Sequence, residues 1–104
     1  MDGRAVSACT YLAVDAHGKK VLTIEGLASD DELHPLQEAF IEHAGFQCGF
    51  CTPGMILAAK ALLDENPSPS ASEVKAYLGG NICRCTGYRT IVESVLAAAA
   101  HLNR

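Results

Sequence analysis

The chain has no tryptophan, and only 3 Phe and 3 Tyr among its 104 residues. Its core must therefore be filled by aliphatic and small side chains. No apolar run approaches the roughly 20 residues of a membrane-spanning helix. Basic residues are few: 8 Lys and Arg against 12 Asp and Glu leave a net charge of −4. That argues against the concentrated basic face needed to hold nucleic acid. The opening Met1-Asp2-Gly3-Arg4 has no basic stretch running into an apolar one, and no twin arginine. The expectation is a soluble, cytoplasmic chain with no membrane insertion and no nucleic-acid partner.

What is present points to a small helical protein. Hydrophobic residues make up 49% and charged residues 19%, which supports a folded core. The length suits one domain better than two. There are 16 alanines, and alanine is the best helix former and a poor strand former. Cysteine is the unusual residue: there are 5, an odd number, with no export signal. A secreted disulfide framework would use an even set, so metal or cluster ligation in a reducing compartment is the better starting point.

The character of the sequence changes near residue 29. Asp2-Gly3 is a two-residue hairpin turn signal followed by a strand-like run, Arg4 to Ala8. Val21-Leu22-Thr23-Ile24 reads as a second short strand after a turn at His17-Gly18. So few strands are marginal alone, and residues 1–28 read as the remnant of a larger β-containing unit. Residues 29–104 read as four helices. Pro35 opens the first, about His34 to Ala44, with Leu36, Ala39, Phe40, His43 and Ala44 on one face and Gly45 as its stop. The second runs from about Pro53 to Glu65, with Thr52 as N-cap and Met55, Ala58, Ala59, Leu62 and Leu63 inward. Asn66-Pro67-Ser68-Pro69 ends it. Ser70 and Glu73 form a capping-box pattern for a short third helix to Leu78, closed by Gly79-Gly80. The fourth, about Tyr88 to Leu102, has Thr86 as its cap and a stripe of Tyr88, Ile91, Val92, Val95, Leu96, Ala99 and Leu102.

The chemistry lies in the cysteines. Cys48 and Cys51 form a C-x2-C pair, and Cys83 and Cys85 a C-x-C pair, each just before a helix. Two long helices packed in parallel, with the short helix as crossover, bring both pairs to one pole. A helix N-terminus carries roughly +0.5 of a charge and unpaired N–H donors, so two such ends favour an anionic group. Three uses fit the four thiols: a [2Fe–2S] cluster, a structural four-cysteine zinc ion, or a pair of disulfides or C-x-x-C redox switch. The C-x-C spacing fits the zinc site less well, and the switch lacks its βαβ context.

The residues Gln47-Cys48-Gly49-Phe50-Cys51-Thr52-Pro53-Gly54-Met55 and Gly80-Asn81-Ile82-Cys83-Arg84-Cys85-Thr86-Gly87-Tyr88 resemble the [2Fe–2S]-binding domain of the molybdenum hydroxylases. That family includes xanthine dehydrogenase, aldehyde oxidoreductases and carbon monoxide dehydrogenase. Leu33 to Phe40 and Thr23 to Leu27 also match, so the resemblance covers essentially the whole chain, and more narrowly the small iron–sulfur subunit.

This resemblance implies an all-α four-helix bundle with one [2Fe–2S] cluster at one pole, held by Cys48, Cys51, Cys83 and Cys85. It places Gln47 and Cys85 near the pyranopterin of a molybdopterin cofactor carried by a large partner subunit. Electrons would pass from that cofactor through the cluster toward a second cluster, or FAD on a medium subunit. The chain would thus be an electron-transfer subunit of an oxidoreductase, not catalytic alone. A structural zinc module and a standalone redox-sensing iron–sulfur protein are the rival readings.

One part of the family pattern is missing. The plant-type ferredoxin domain of such subunits needs a C-x4-C-x2-C loop and a fourth cysteine. Only Cys9 matches, at the fourth position. Residues 1–28 are therefore expected to be a truncated remnant of that domain, and Cys9 an orphan thiol. The four histidines, His17, His34, His43 and His101, read as surface or helix-end residues, and Met55 as core.

Overall fold

The computed structural model describes residues 1–103. Four helices form: α1 (Pro35–Glu42), α2 (Thr52–Glu65), α3 (Ala71–Tyr77) and α4 (Arg89–Leu102). Short 3-10 turns occupy Ala8–Thr10, Ala13–Ala16, Ile24–Gly26 and Leu78–Gly80. The expected all-α bundle is present, with each helix within two residues of its expected span.

Helix ends follow their local chemistry. Ser70 Oγ accepts from Glu73 N at 3.2 Å, and the Glu73 carboxylate accepts from Ser70 N at 3.0 Å, so α3 has the expected capping box. The N-terminus of α1 has an equivalent box built on a histidine. His34 Nδ1 accepts from Leu36 N at 3.1 Å, and Gln37 Oε1 accepts from His34 N at 2.9 Å. At the other end, Gly45 N donates to Phe40 O at 2.8 Å and Ala44 N to Ile41 O at 3.5 Å. This is a Schellman closure. Its left-handed residue is Ala44, at φ 53°, not Gly45. Gly45 is required for another reason: a Cβ there would lie 2.6 Å from Ser94 Oγ and 2.8 Å from the Phe40 ring. The end of α1 can meet α4 only without a side chain at 45.

The core is the expected aliphatic one. Leu36 and Phe40 of α1, Met55, Ala59 and Leu62 of α2, Val74 of α3, and Ile91, Val95 and Ala98 of α4 are buried together. Each large side chain among them contributes roughly 1.5–3 kcal/mol by burial. His43, Ala44 and Leu102, expected on the inner faces, are exposed because they lie at or beyond the last helical turn. Sequence periodicity passes over Ser94, which is fully buried in α4 with its hydroxyl donating to Thr90 O at 2.7 Å.

Helices α2 and α4 run parallel. Their C-terminal ends are tied by Asn103 Nδ2, which donates to Pro67 O at 2.7 Å and Ser68 Oγ at 3.1 Å. Their N-terminal ends are preceded by cysteine loops that meet, with Cys48 and Cys85 sulfurs 3.6 Å apart. They are not simple side-by-side neighbours, however: α4 packs chiefly along α1.

The β-like reading of residues 1–28 needs correction. The Asp2-Gly3 turn forms, with φ 48° and 82° and Arg4 N donating to Met1 O at 3.0 Å. No strand grows from it among the described residues, and the runs at Arg4–Ala8 and Val21–Ile24 are not strands. A lone strand has no partner to bond, so the backbone closes locally instead. Thr10 N bonds Ser7 O, Asp15 N bonds Leu12 O, and Gly26 N bonds Thr23 O. None of residues 1–26 is buried, and the helical core begins at Leu27.

Candidate metal centre

Two loops present the four thiols. The first, between α1 and α2, turns at Gly49, whose φ of +84° is open to glycine at no steric cost. The turn aims Phe50 N at Cys48 Sγ, 3.5 Å away, and Thr52 N at Gly49 O, 3.3 Å away. Thr52 is not the N-cap of α2, as its residue type led us to expect. Cys51 holds that position, with Thr52 in the first turn and its Oγ1 buried without a hydrogen-bond partner among the described residues.

The second loop, before α4, is tighter. Gly87 and Tyr88 both have φ 72°, and Tyr88 is the residue that enters the helix. Thr86, the expected cap, faces the sulfur instead: its Oγ1 donates to Cys83 Sγ at 3.2 Å and its N–H at 3.5 Å. Tyr88 N donates to Thr86 Oγ1 at 3.0 Å, and Tyr88 OH accepts from Cys83 N at 2.9 Å. Residue type alone marked Thr86 as a cap and Tyr88 as a packing residue. Gly87 was the signal that the chain turns left-handed before the helix can start.

The loops bring all four thiols into one group. Cys48 stands opposite Cys85, 3.6 Å between sulfurs, and Cys51 lies close enough to Cys83 for that thiol to raise its proton affinity. The group is graded in depth: Cys83 is buried, Cys51 half-buried, and Cys48 and Cys85 exposed. Proton affinities follow the surroundings. The Thr86 hydroxyl and N–H beside Cys83 lower its pKa to about 7. Burial, followed by the neighbouring Cys83 thiol, pushes Cys51 up to about 11. Cys48 raises the pKa of Cys85. Crowded thiols thus resist collective ionisation, and a cation placed among them would relieve that.

Other expected site residues fall as follows. Gln47 is exposed next to Cys48, and the exposed Cys85 shares that surface through its contact with Cys48. Cys9 is exposed, with its sulfur 3.6 Å from Ser7 Oγ, and none of the four thiols is hydrogen-bonded to it. Among the described residues, no three His, Cys, Asp or Glu side chains converge to hold a single ion. Around the thiols, beside the exposed Gln47 and Arg84, large apolar side chains stand in solvent: Phe50 is 95% and Ile82 80% exposed, with Phe46 and Tyr88 partly so.

Comparison with known proteins bears on this arrangement. Residues 23–96 match the family described as the [2Fe-2S] binding domain. The nicotine 6-hydroxylase small subunit of Paenarthrobacter nicotinovorans is 53% identical over 98% of this chain. The chain spans 61% of that relative's length. In the crystal structure of quinoline 2-oxidoreductase from Pseudomonas putida 86, a 45% identical chain superposes with a TM-score of 0.93, over 99% of this chain and 65% of that one. Aldehyde oxidoreductase from Desulfovibrio gigas gives the same TM-score of 0.93 at 45% identity, over 98% of this chain but 12% of that one.

Proposed function

The chain belongs to the [2Fe-2S] binding domain family, and from that membership we propose that Cys48, Cys51, Cys83 and Cys85 hold one [2Fe–2S] cluster. The observation that carries the assignment is the pairing of the thiols. Two thiolates on one tetrahedral metal, at about 2.3 Å each, stand about 3.8 Å apart. The 3.6 Å between Cys48 and Cys85 has that size, and Cys51 with Cys83 forms a second pair. Two pairs suit two irons, whereas a single zinc ion needs four sulfurs around one point. The donor set is also all thiol, and the loops lead into the N-termini of α2 and α4, whose N–H groups favour an anionic group.

When bound, the cluster supplies one-electron redox chemistry. The chain's own residues hold it, donate hydrogen bonds to its sulfurs from Phe50 N, Thr86 N and Thr86 Oγ1, and shield its inner side with the core. Nothing in this arrangement makes or breaks bonds in an organic substrate. The role we infer is electron transfer within a molybdenum hydroxylase, between a molybdopterin cofactor on a large partner subunit and a further acceptor. FAD on a medium subunit would be that acceptor or lie beyond a second cluster. Gln47 and Cys85, both exposed, are proposed to face the molybdopterin side. The apolar surface of Phe46, Phe50 and Ile82 around the thiols supports a covering partner.

We further read residues 1–28 as part of a ferredoxin-like unit and residues 29–104 as the cluster-binding domain. The lack of buried residues before Leu27 supports a division close to that point. Five free cysteines fit a reducing, cytoplasmic setting.

The test is an anaerobic absorption spectrum with iron, sulfide and zinc assays on the same sample. About two irons and two sulfides per chain, bleached by dithionite, is the expected result. Cys48→Ser and Cys85→Ser should lose that iron, together with helix content. About one zinc in a colourless protein, or unchanged iron in both variants, overturns the assignment.

A further inference from the structure

Two threonines occupy matching sequence positions in the cysteine loops. Each follows the second cysteine of its pair: Thr52 after Cys51, and Thr86 after Cys85. Neither caps a helix. Thr86 Oγ1 lies 3.2 Å from Cys83 Sγ, and its direction is fixed. Tyr88 N donates to the same oxygen at 3.0 Å, which occupies a lone pair and leaves the hydroxyl hydrogen for sulfur. The left-handed backbone at Gly87, open to glycine, turns the Tyr88 N–H back toward that oxygen. Thr52 Oγ1 is buried, and no acceptor among the described residues takes its hydrogen. A buried hydroxyl in that state destabilises a fold unless a bound group receives it.

We propose that Thr86 and Thr52 are the two hydroxyl donors to the sulfurs of the bound cluster, one from each cysteine loop, and that together they raise its reduction potential. The inference rests on the ligand set proposed above. Reduction adds negative charge to the cluster, so a hydrogen bond donated to sulfur is stronger in the reduced state and favours it. Both threonines are positioning residues, because they act on the cluster without ligating iron.

The test is a redox titration of the cluster-loaded full chain, followed by the electron paramagnetic resonance signal of the reduced form. Thr86→Val and Thr52→Val should each move the midpoint to lower potential, with the double variant lower than either. Thr86→Ser and Thr52→Ser keep the hydroxyl and should titrate close to the parent. Unchanged midpoints in both valine variants, with iron content intact, overturn the proposal, and so does an equal drop in the serine variants. Should a valine variant not load, the smaller alanine variant is compared with the parent. Hyperfine spectra of the reduced cluster before and after exchange into D2O should show exchangeable protons beyond the backbone donors Phe50 N and Thr86 N, and the corresponding alanine variant should lack them; spectra identical between parent and alanine variant overturn the proposal. A parent chain with no [2Fe–2S] signal removes the ligand set itself, and this inference with it.

Discussion

Gly45 lies directly against Ser94: a Cβ built on the glycine would fall 2.6 Å from the serine hydroxyl oxygen. The hydroxyl cannot easily move, because it donates to Thr90 O at 2.7 Å within α4 and is fully buried. The Phe40 ring closes the other side at 2.8 Å. Gly45→Ala should therefore force α1 and α4 apart and cost about 1–3 kcal/mol, as overpacking generally does. The urea midpoint of the purified chain checks it, and Ser94→Ala combined with Gly45→Ala should recover part of the loss.

The adjacent residue predicts the opposite sign. Ala44 carries the left-handed turn of the helix end, at φ 53°. Glycine is the residue that adopts this conformation without a Cβ clash. Ala44→Gly should stabilise the chain by about 0.5–1 kcal/mol, once the extra freedom of glycine in the unfolded chain offsets part of the relief. Its thermal midpoint should rise. A fall would mean that the alanine methyl makes packing contacts that outweigh the strain.

His34 couples the start of α1 to pH. Burial, and then the charge of Lys60, lower its pKa below the ordinary 6.5. The neutral ring is the form that accepts the Leu36 N–H. The unfolded chain therefore takes up a proton more readily, and the stability this group contributes is present above about pH 6.5 and lost as pH falls through the lowered value. The loss should not exceed a helix cap, about 1 kcal/mol. Urea midpoints between pH 7.5 and 5 check the slope. His34→Asn keeps a capping acceptor that does not titrate and should flatten it.

Phe50 tests the covering partner. Its backbone N–H serves Cys48, while its ring is 95% exposed. Phe50→Ser keeps the first and removes the second. Iron content should stay at the parent level. Affinity for the large subunit should fall roughly tenfold or more, the worth of burying one such ring. Co-purification of the assembled complex measures it, and unchanged affinity would remove the ring from the interface.

The helices and the ligand candidates were legible in the sequence for separate reasons. Helix spans follow from periodicity, as with Ile91, Val95 and Ala99, and from punctuation such as Pro35 and the Ser70–Glu73 box. The thiols were legible because C-x2-C and C-x-C are spacings that serve metals. What the sequence hid depends on contacts distant along the chain or on backbone conformation. Ser94 is polar, so its burial against Gly45 breaks no visible pattern until the two helices meet. Thr52 and Thr86 look like caps because residue type records a hydroxyl and not its direction. Residues 4–8 and 21–24 have β-like composition, but a strand requires a neighbour, and composition carries no information about one.

The meeting of Cys48 and Cys85 also has a topological consequence. These residues stand 37 positions apart in the chain, yet their sulfurs approach to 3.6 Å. Any group bound to both closes a loop containing α2 and α3 and acts as a cross-link. For a loop of this length, the entropy removed from the unfolded chain is worth about 4 kcal/mol. That is a large share of the stability of a small domain. Occupancy of the thiol group and resistance to unfolding should therefore rise and fall together, so that a chain stripped of its bound group would also be the one most readily cleared by proteases.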